Sequence, residues 1–260
     1  MSVPLIIAHR GASALAPENT ISAFKKAIDS GADGIEFDVR LSKDRVPVVI
    51  HDPTLTRTAG IDAQVGDLTA EELSKADVGS WFNAAHPAHA QPGFSAERIS
   101  TLQTVLQLLE NVSGPIYIEL KCEAENHVQV LVDAVCREIA SSPALAKIIV
   151  KSFRLEVIPR TRAVLPSVRT AALFAPKVMR LLRKEKYLID IARELGADHL
   201  SVHKSLVSAK LVRKAGKYGM PVTAWTVDRR RWRPWAENRG LFALITNDPA
   251  KMLAGREPSR

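Results

Sequence analysis

The residues best suited to chemistry in this chain lie where short apolar runs end. Leu5-Ile6-Ile7-Ala8 delivers His9-Arg10-Gly11, and Val48-Val49-Ile50 delivers His51-Asp52. Ile35-Glu36-Phe37-Asp38-Val39 sets two acids at alternate positions, and Tyr117-Ile118-Glu119-Leu120-Lys121 adds a third acid and a cation. In an extended chain, side chains two apart share a face, so Glu36 and Asp38 point one way and Ile35, Phe37 and Val39 the other. Two carboxylates so close either raise each other's pKa or require a cation. Glu119 completes three hard oxygen ligands. Such a set suits Mg2+ or Ca2+, with Mn2+ a further candidate, better than Zn2+, which favours sulfur and nitrogen. Taken singly, each acid has a plainer role open to it, an ion pair with Arg10 or Lys121.

Imidazole ordinarily titrates near neutrality, so His9 and His51 on one bound anion would divide proton transfer into a base and an acid. Arg10 and Lys121 bring fixed positive charge to clamp non-bridging phosphate oxygens, Arg with two parallel bonds. Gly11 permits a sharp turn or close backbone approach to a ligand. Trp225 ends another apolar run, and its ring serves either the aliphatic part of a substrate or the core of the fold. The other histidines carry less. His86 and His89 sit in a Pro/Ala stretch, His127 in a helical pattern, and His199 and His203 flank a strand as polar caps. A cation site, two proton carriers and two fixed cations are the inventory of a phosphoester hydrolase.

Groups this far apart in sequence act together only if strand ends converge. Apolar, β-branched runs at Leu5–His9, Asp33–Val39, Ile116–Leu120, Ile148–Ser152, Val168–Leu173, His199–Val202, Val222–Thr226 and Phe242–Thr246 read as parallel strands. Between them, apolar residues recur at helical spacing, as in Ile21, Phe24 and Ile28, in Val128, Leu131, Val132, Val135 and Ile139, and in Leu188, Ile191, Ala192 and Leu195. Alternating strands and helices imply right-handed parallel crossovers, and eight such units in 260 residues favour an α/β fold of the (β/α)8 TIM-barrel type. An open doubly wound sheet is the alternative, but no Gly-x-Gly-x-x-Gly turn follows the first strand. Only Ser42-Lys43-Asp44-Arg45 separates the second strand from the run Val46–His51, too short a link for a parallel crossover. The two runs therefore form an antiparallel hairpin, which sets His51 opposite Phe37 or Asp38. Residues 52–98 then read as a small insertion, with a short helix at Thr69–Lys75 and a Pro/Ala/Gly-rich loop at Ala84–Ser95, within one domain spanning 1–260.

Composition narrows the function classes. Hydrophobic residues at 46% and charged residues at 25% are those of a globular protein, and no apolar run approaches the ~20 residues of a membrane helix. The N-terminus has no basic stretch before its short apolar run, so a cytoplasmic protein without a stable membrane anchor is expected. The two cysteines, Cys122 and Cys136, make neither a zinc pattern nor a disulfide framework. Net charge is +8, but the one dense basic run, Arg229–Arg233, lacks interleaved stacking rings, so no nucleic-acid partner is expected and a solvated helix face is the simpler role.

Several of these stretches resemble the glycerophosphodiester phosphodiesterase family in its short cytosolic bacterial type. They are His9-Arg10-Gly11, Pro17-Glu18-Asn19-Thr20, Glu36-x-Asp38, Pro47-Val48-Val49-Ile50-His51-Asp52, Glu119-Leu120-Lys121, Lys151-Ser152-Phe153 and Trp225-Thr226-Val227, in register from residue 9 to Pro249. The resemblance implies the phospholipase C-like phosphodiesterase barrel and hydrolysis of deacylated phospholipids, small-molecule glycerophosphodiesters, to sn-glycerol 3-phosphate and an alcohol. By it, His9 and His51 are the acid/base pair, Glu36, Asp38 and Glu119 hold the divalent ion, Arg10 and Lys121 bind phosphate, and residues 52–98 cover the glycerol side. Attack by water or by the substrate's neighbouring hydroxyl, through a cyclic phosphate, are both open, as are a monomer and a homodimer. A phospholipase D-like enzyme on lyso- or intact lipids is the alternative, with Trp81, Phe82 and Phe94 as an apolar lip. The chain departs from the family pattern at Asp228, at Ser100 and at Asn247-Asp248-Pro249.

Overall fold

The computed structural model describes residues 3–122, 127–178 and 186–256. Its strands are β1 (Leu5–His9), β2 (Gly34–Leu41), β3 (Pro47–Val49), β4 (Ile116–Leu120), β5 (Ile148–Ser152), β6 (Arg169–Phe174), β7 (His199–His203), β8 (Val222–Trp225) and β9 (Ala243–Thr246). β1 pairs in parallel with both β9 and β2, so eight strands close into a barrel while β3 lies antiparallel on the outer end of β2. It is a TIM barrel. The expected hairpin is present but its second strand is short: Ile50 lies beyond β3, although its N–H still donates to the Asp38 carbonyl at 3.1 Å. The register Val39 to Val49, continued by two residues, sets His51 opposite Phe37. Other strand bounds fall within two residues of those read from the sequence.

Outside the barrel run α1 (Ile21–Asp29), then α2 (Thr56–Ala59), α3 (Ala70–Leu73) and α4 (Ser80–Ala85) in the connection after β3, and then α5 (Leu102–Leu108), α6 (Val128–Ala140), α7 (Val157–Val164), α8 (Lys186–Glu194), α9 (Ala209–Gly216), α10 (Trp232–Glu237) and α11 (Pro249–Leu253). Thr20 starts α1 by accepting from the Ala23 N–H. The buried face of α1 is rotated from the expected stripe, keeping Phe24 and partly Ile21 but not Ile28. Ala23, Phe24 and Ala27 are buried, whereas Ile28 is 40% exposed. Phe24 meets Phe37 edge to face at 5.7 Å, and small alanines on either side let the helix lie close to the sheet. The α6 stripe is buried as expected; on α8, Leu188 and Ala192 are buried while Ile191, and Leu195 just past the helix end, are only partly so.

Strand alternation divides the core. Ile35, Phe37, Val39, Ile118 and Val150 face outward against α1, α5 and α6. Ile7, Tyr117, Ile149, Ala171, Ala243 and Ile245 face inward and fill the barrel. Tyr117 closes this plug with a 2.9 Å hydrogen bond to Thr223 Oγ1. Two residues further along the same strands, the inward positions become His9, Glu119 and Lys151. β1, β4 and β5 thus run from an apolar floor to a rim of titratable side chains.

The connection after β3 returns to its start, where the Val49 N–H donates to the Ser100 carbonyl at 2.8 Å. The expected helix at Thr69–Lys75 is a single turn, α3, begun by a capping box between Thr69 and Glu72. The expected loop at Ala84–Ser95 instead holds the end of α4 and short 3-10 turns at Pro87–His89 and Pro92–Ala96. Phe82 and Phe94 are buried against Ala16 and Ala23, with Trp81 partly covered beside them. These three rings therefore fasten the segment to the β1–α1 loop rather than forming an apolar lip.

Candidate active site

Parallel pairing forces the charged side chains together. His9 is level with Glu36, Asp38 with Glu119, and Glu119 with Lys151 on three adjoining strand pairs. One oxygen from each of Glu36, Asp38 and Glu119 lies within 4.8 Å of the others, and all three residues are buried. Lys151 Nζ sits 2.7 Å from Glu36 and 3.5 Å from Glu119. Lys121 Nζ pairs with Glu119 and lies 3.3 Å from Asp38, which Arg10 Nε also reaches at 3.1 Å. Three carboxylates thus face three cations. The lysines meet buried oxygens directly, Lys151 at Glu36 Oε1 and Lys121 at Glu119 Oε1, so the acids' charge is compensated within the cluster.

The electrostatics favour ionised acids. Burial pushes the Asp38 pKa up, but Lys121, Arg10, His51 and the Asn19 amide more than offset it and hold it well below the usual carboxylate value. Glu36 is likewise lowered: burial opposes its charge, and Lys151 and His9 outweigh both burial and the repulsion of Asp38. The same logic inverts for Lys151, whose charge burial disfavours and whose pKa Glu36 and Glu119 nonetheless raise.

The loop after β1 turns through two left-handed residues, Arg10 at φ 55° and Gly11 at φ 77°. A Cβ on Gly11 would lie 2.6 Å from the Ala23 backbone, so only glycine lets this loop dock on α1. Docking aims Arg10 at Asp38 and lets its other arm donate to Glu18 at 2.8 Å. Asn19 reads Asp38 twice, donating to its carboxylate at 3.0 Å and accepting from its backbone N–H at 3.3 Å.

His9 Nε2 faces Glu36 Oε2 at 3.9 Å, and its Nδ1 meets Asn247 Oδ1 at 2.6 Å. His51 stands close enough for its charge to act on Asp38, and its Nδ1 meets Asp52 at 2.6 Å. Arg57, on α2, ties Asp52 to Glu18, and hence the two sides of the rim to each other. Each imidazole thus has Nδ1 engaged by an acceptor, which leaves Nε2 for chemistry. Trp225 is half-buried on top of the barrel plug, stacked edge-on with Phe153 at 5.5 Å and His203 at 5.1 Å. Its indole N–H is buried with no hydrogen-bond partner among the described residues.

All the expected site residues therefore stand at one rim. The sequence-level reading gave no role to Lys151, Asn19, Glu18, Asp52, Arg57 or Asn247, although all but Arg57 and Asn247 stand within the quoted family stretches. The signal for Lys151 was its place in an apolar strand two residues beyond inward-facing Ile149. His86 and His89 lie on the exposed turn after α4 and His127 before α6, and none joins the cluster.

Comparison with known proteins places this geometry. Residues 9–251 match the model of the glycerophosphoryl diester phosphodiesterase family. The protein YhdW of Bacillus subtilis is 35% identical over 94% of each chain. The glycerophosphodiester phosphodiesterase of Caldanaerobacter subterraneus subsp. tengcongensis is 32% identical over 96% of each chain. A phosphodiesterase of Oleispira antarctica, solved in complex with the product sn-glycerol-3-phosphate, superposes with a TM-score of 0.83 at 25% identity, covering 97% of this chain and 96% of its own.

Proposed function

Since this chain belongs to the glycerophosphoryl diester phosphodiesterase family, we propose that its rim hydrolyses glycerophosphodiesters to sn-glycerol 3-phosphate and an alcohol, with His9 and His51 as proton carriers beside a divalent cation. The observation that carries this reading is the buried triad of Glu36, Asp38 and Glu119 with an imidazole nitrogen 3.9 Å from one of its members.

The residues present fit a cation. Their oxygens are hard donors gathered within 4.8 Å of one another on three buried carboxylates. Three acids balance Arg10, Lys121 and Lys151, so a bound dication would leave the rim positive toward an anionic diester. Such an ion, Mg2+, Ca2+ or Mn2+, would draw charge from the phosphoryl oxygens as the transition state gains negative charge.

The protein's own groups supply the rest. Arg10 and Lys121 converge on Asp38 and hold non-bridging oxygens, fixing the phosphorus for in-line attack. One imidazole takes a proton through Nε2 as the new oxygen–phosphorus bond forms, either from water directly or from the substrate's neighbouring hydroxyl, in which case water then opens the cyclic phosphate. The other gives a proton to the departing alkoxide as the old bond breaks, so the pair ends with its proton count unchanged. Trp225 and Phe153 wall the side toward β8 and suit the carbon face of glycerol.

The test is a panel of glycerophosphodiesters and lyso-lipids assayed with Mg2+, Ca2+ and Mn2+, alongside His9→Ala and His51→Ala. Glycerol 3-phosphate release should exceed turnover of lyso-lipids, and each variant should lose about 10²–10⁴-fold in kcat. Full activity in either variant would remove that histidine from the mechanism, and faster turnover of lyso-lipids would favour the phospholipase D-like alternative.

A further inference from the structure

Asp228 departs from the family pattern, and its surroundings give it a specific task. It lies three residues beyond β8, and its carboxylate is met by donors only. Thr246 Oγ1 and the Asn247 N–H reach Oδ1 at 3.0 and 2.8 Å, and Asn247 Nδ2 reaches Oδ2 at 3.0 Å. An ionised carboxylate accepts and never donates, so the Asn247 amide must present its NH2 group to Asp228. Its Oδ1 must then face the other way, where it meets His9 Nδ1 at 2.6 Å and the Ser13 hydroxyl at 3.1 Å. An amide oxygen only accepts, so His9 Nδ1 must carry the hydrogen. Backbone bonds hold the link in place, since the Ala14 N–H donates to the Asn247 carbonyl at 2.9 Å.

We propose that Asp228 is a positioning residue for the hydrolysis: through Asn247 it fixes His9 as the Nδ1–H tautomer, so that Nε2 faces the acid cluster with a free lone pair. The inference rests on His9 being a proton carrier, but the tautomer itself is measured without that assumption. The direction of the relay is set at its far end. A carboxylate at 228 polarises two hydrogen bonds in series, whereas an amide there would leave the Asn247 side chain free to turn over and offer its NH2 group to His9.

The tautomer is read from the 15N shifts of the two His9 ring nitrogens in labelled protein, at a pH where the ring is neutral. Wild type should show Nδ1 protonated, and Asp228→Asn should shift His9 toward the Nε2–H form. The same variant, assayed on glycerophosphoethanolamine with a divalent cation, should lose at least tenfold in kcat with KM within about twofold. The exchanged pair Asp228→Asn/Asn247→Asp restores an acceptor at His9 and a donor behind it, so it should recover both the Nδ1–H form and most of the rate. Wild-type His9 in the Nε2–H form, or an Asp228→Asn variant with unchanged tautomer and kcat, would overturn the relay. A His9→Ala variant of full activity would instead overturn the catalytic reading and leave the tautomer result to decide the relay.

Discussion

At the scale of single residues, Lys151 shows what holds this site together before any substrate arrives. It is 2% exposed and lies between Glu36 and Glu119. Removing one partner from a buried ionic cluster leaves the others uncompensated, which typically costs about 3–5 kcal/mol. Lys151→Met is therefore expected to lose roughly that much unfolding free energy when measured by denaturant titration in chelator. Adding Ca2+ or Mg2+ should stabilise the variant more than wild type, because a bound cation replaces the missing charge. Equal cation-induced gains in both proteins would contradict a shared role for Lys151 and the ion. Lys151 also marks the limit of what the chain discloses about its site. The acids and histidines are legible because their types are informative at strand ends. A lysine is normally solvent-exposed, and only the register that sets it beside Glu119 shows otherwise. Asn247 is hidden for a similar reason: its partner in space is His9, 238 residues away.

At the scale of elements, the β1–α1 loop is the part whose geometry the site depends on most. Gly11→Ala adds a methyl group 2.6 Å from the Ala23 backbone at a positive φ, a combination that strains both the loop and its docking. A loss of about 1–3 kcal/mol in stability is expected from urea unfolding. Because Arg10 is the neighbouring residue, KM for the diester should rise as well, and wild-type stability and KM in this variant would contradict the docking role. β7 offers a test at the opposite end of the barrel. Burial pulls the His199 imidazole down to about 4 from its ordinary 6.5, with Arg169 adding to the effect. The unfolded chain therefore binds more protons between these values, and stability falls as pH drops from 6.5 toward 4, by about 3 kcal/mol in all. His199→Gln should flatten this part of the stability profile, and an unaltered slope would show that His199 is not its source. Elements were largely readable because strand and helix periods differ, and the strand bounds shift little. What the period did not reveal was the rotation of α1 that buries Ala23 and Ala27 beside Phe24 and leaves Ile28 outside. Its buried face is built on alanines, whose small apolar surface gives a weaker signal than Ile28.

At the scale of the molecule, the excess of +8 is spread along the sequence, with one dense basic run at Arg229–Arg233. Within the basic run, Arg230 donates to the Ala254 carbonyl and Arg233 to the Met252 carbonyl, so two of its guanidinium groups close the C-terminal end of α11. Arg256 pairs with Asp33 just before β2 and ties the chain's C-terminal part to the barrel floor. No helix among the described residues is long and apolar enough to cross a membrane. The fold gathers the candidate site at one rim, where separate strand ends deliver three acids, two imidazoles and three cations. The most direct measurement of that arrangement is the rate of sn-glycerol 3-phosphate release from glycerophosphoethanolamine by chelator-stripped protein as Mg2+ or Ca2+ is added back. Release is expected to be absent without the ion and to rise to saturation as the ion binds. Undiminished release in excess chelator would contradict a cation held by Glu36, Asp38 and Glu119.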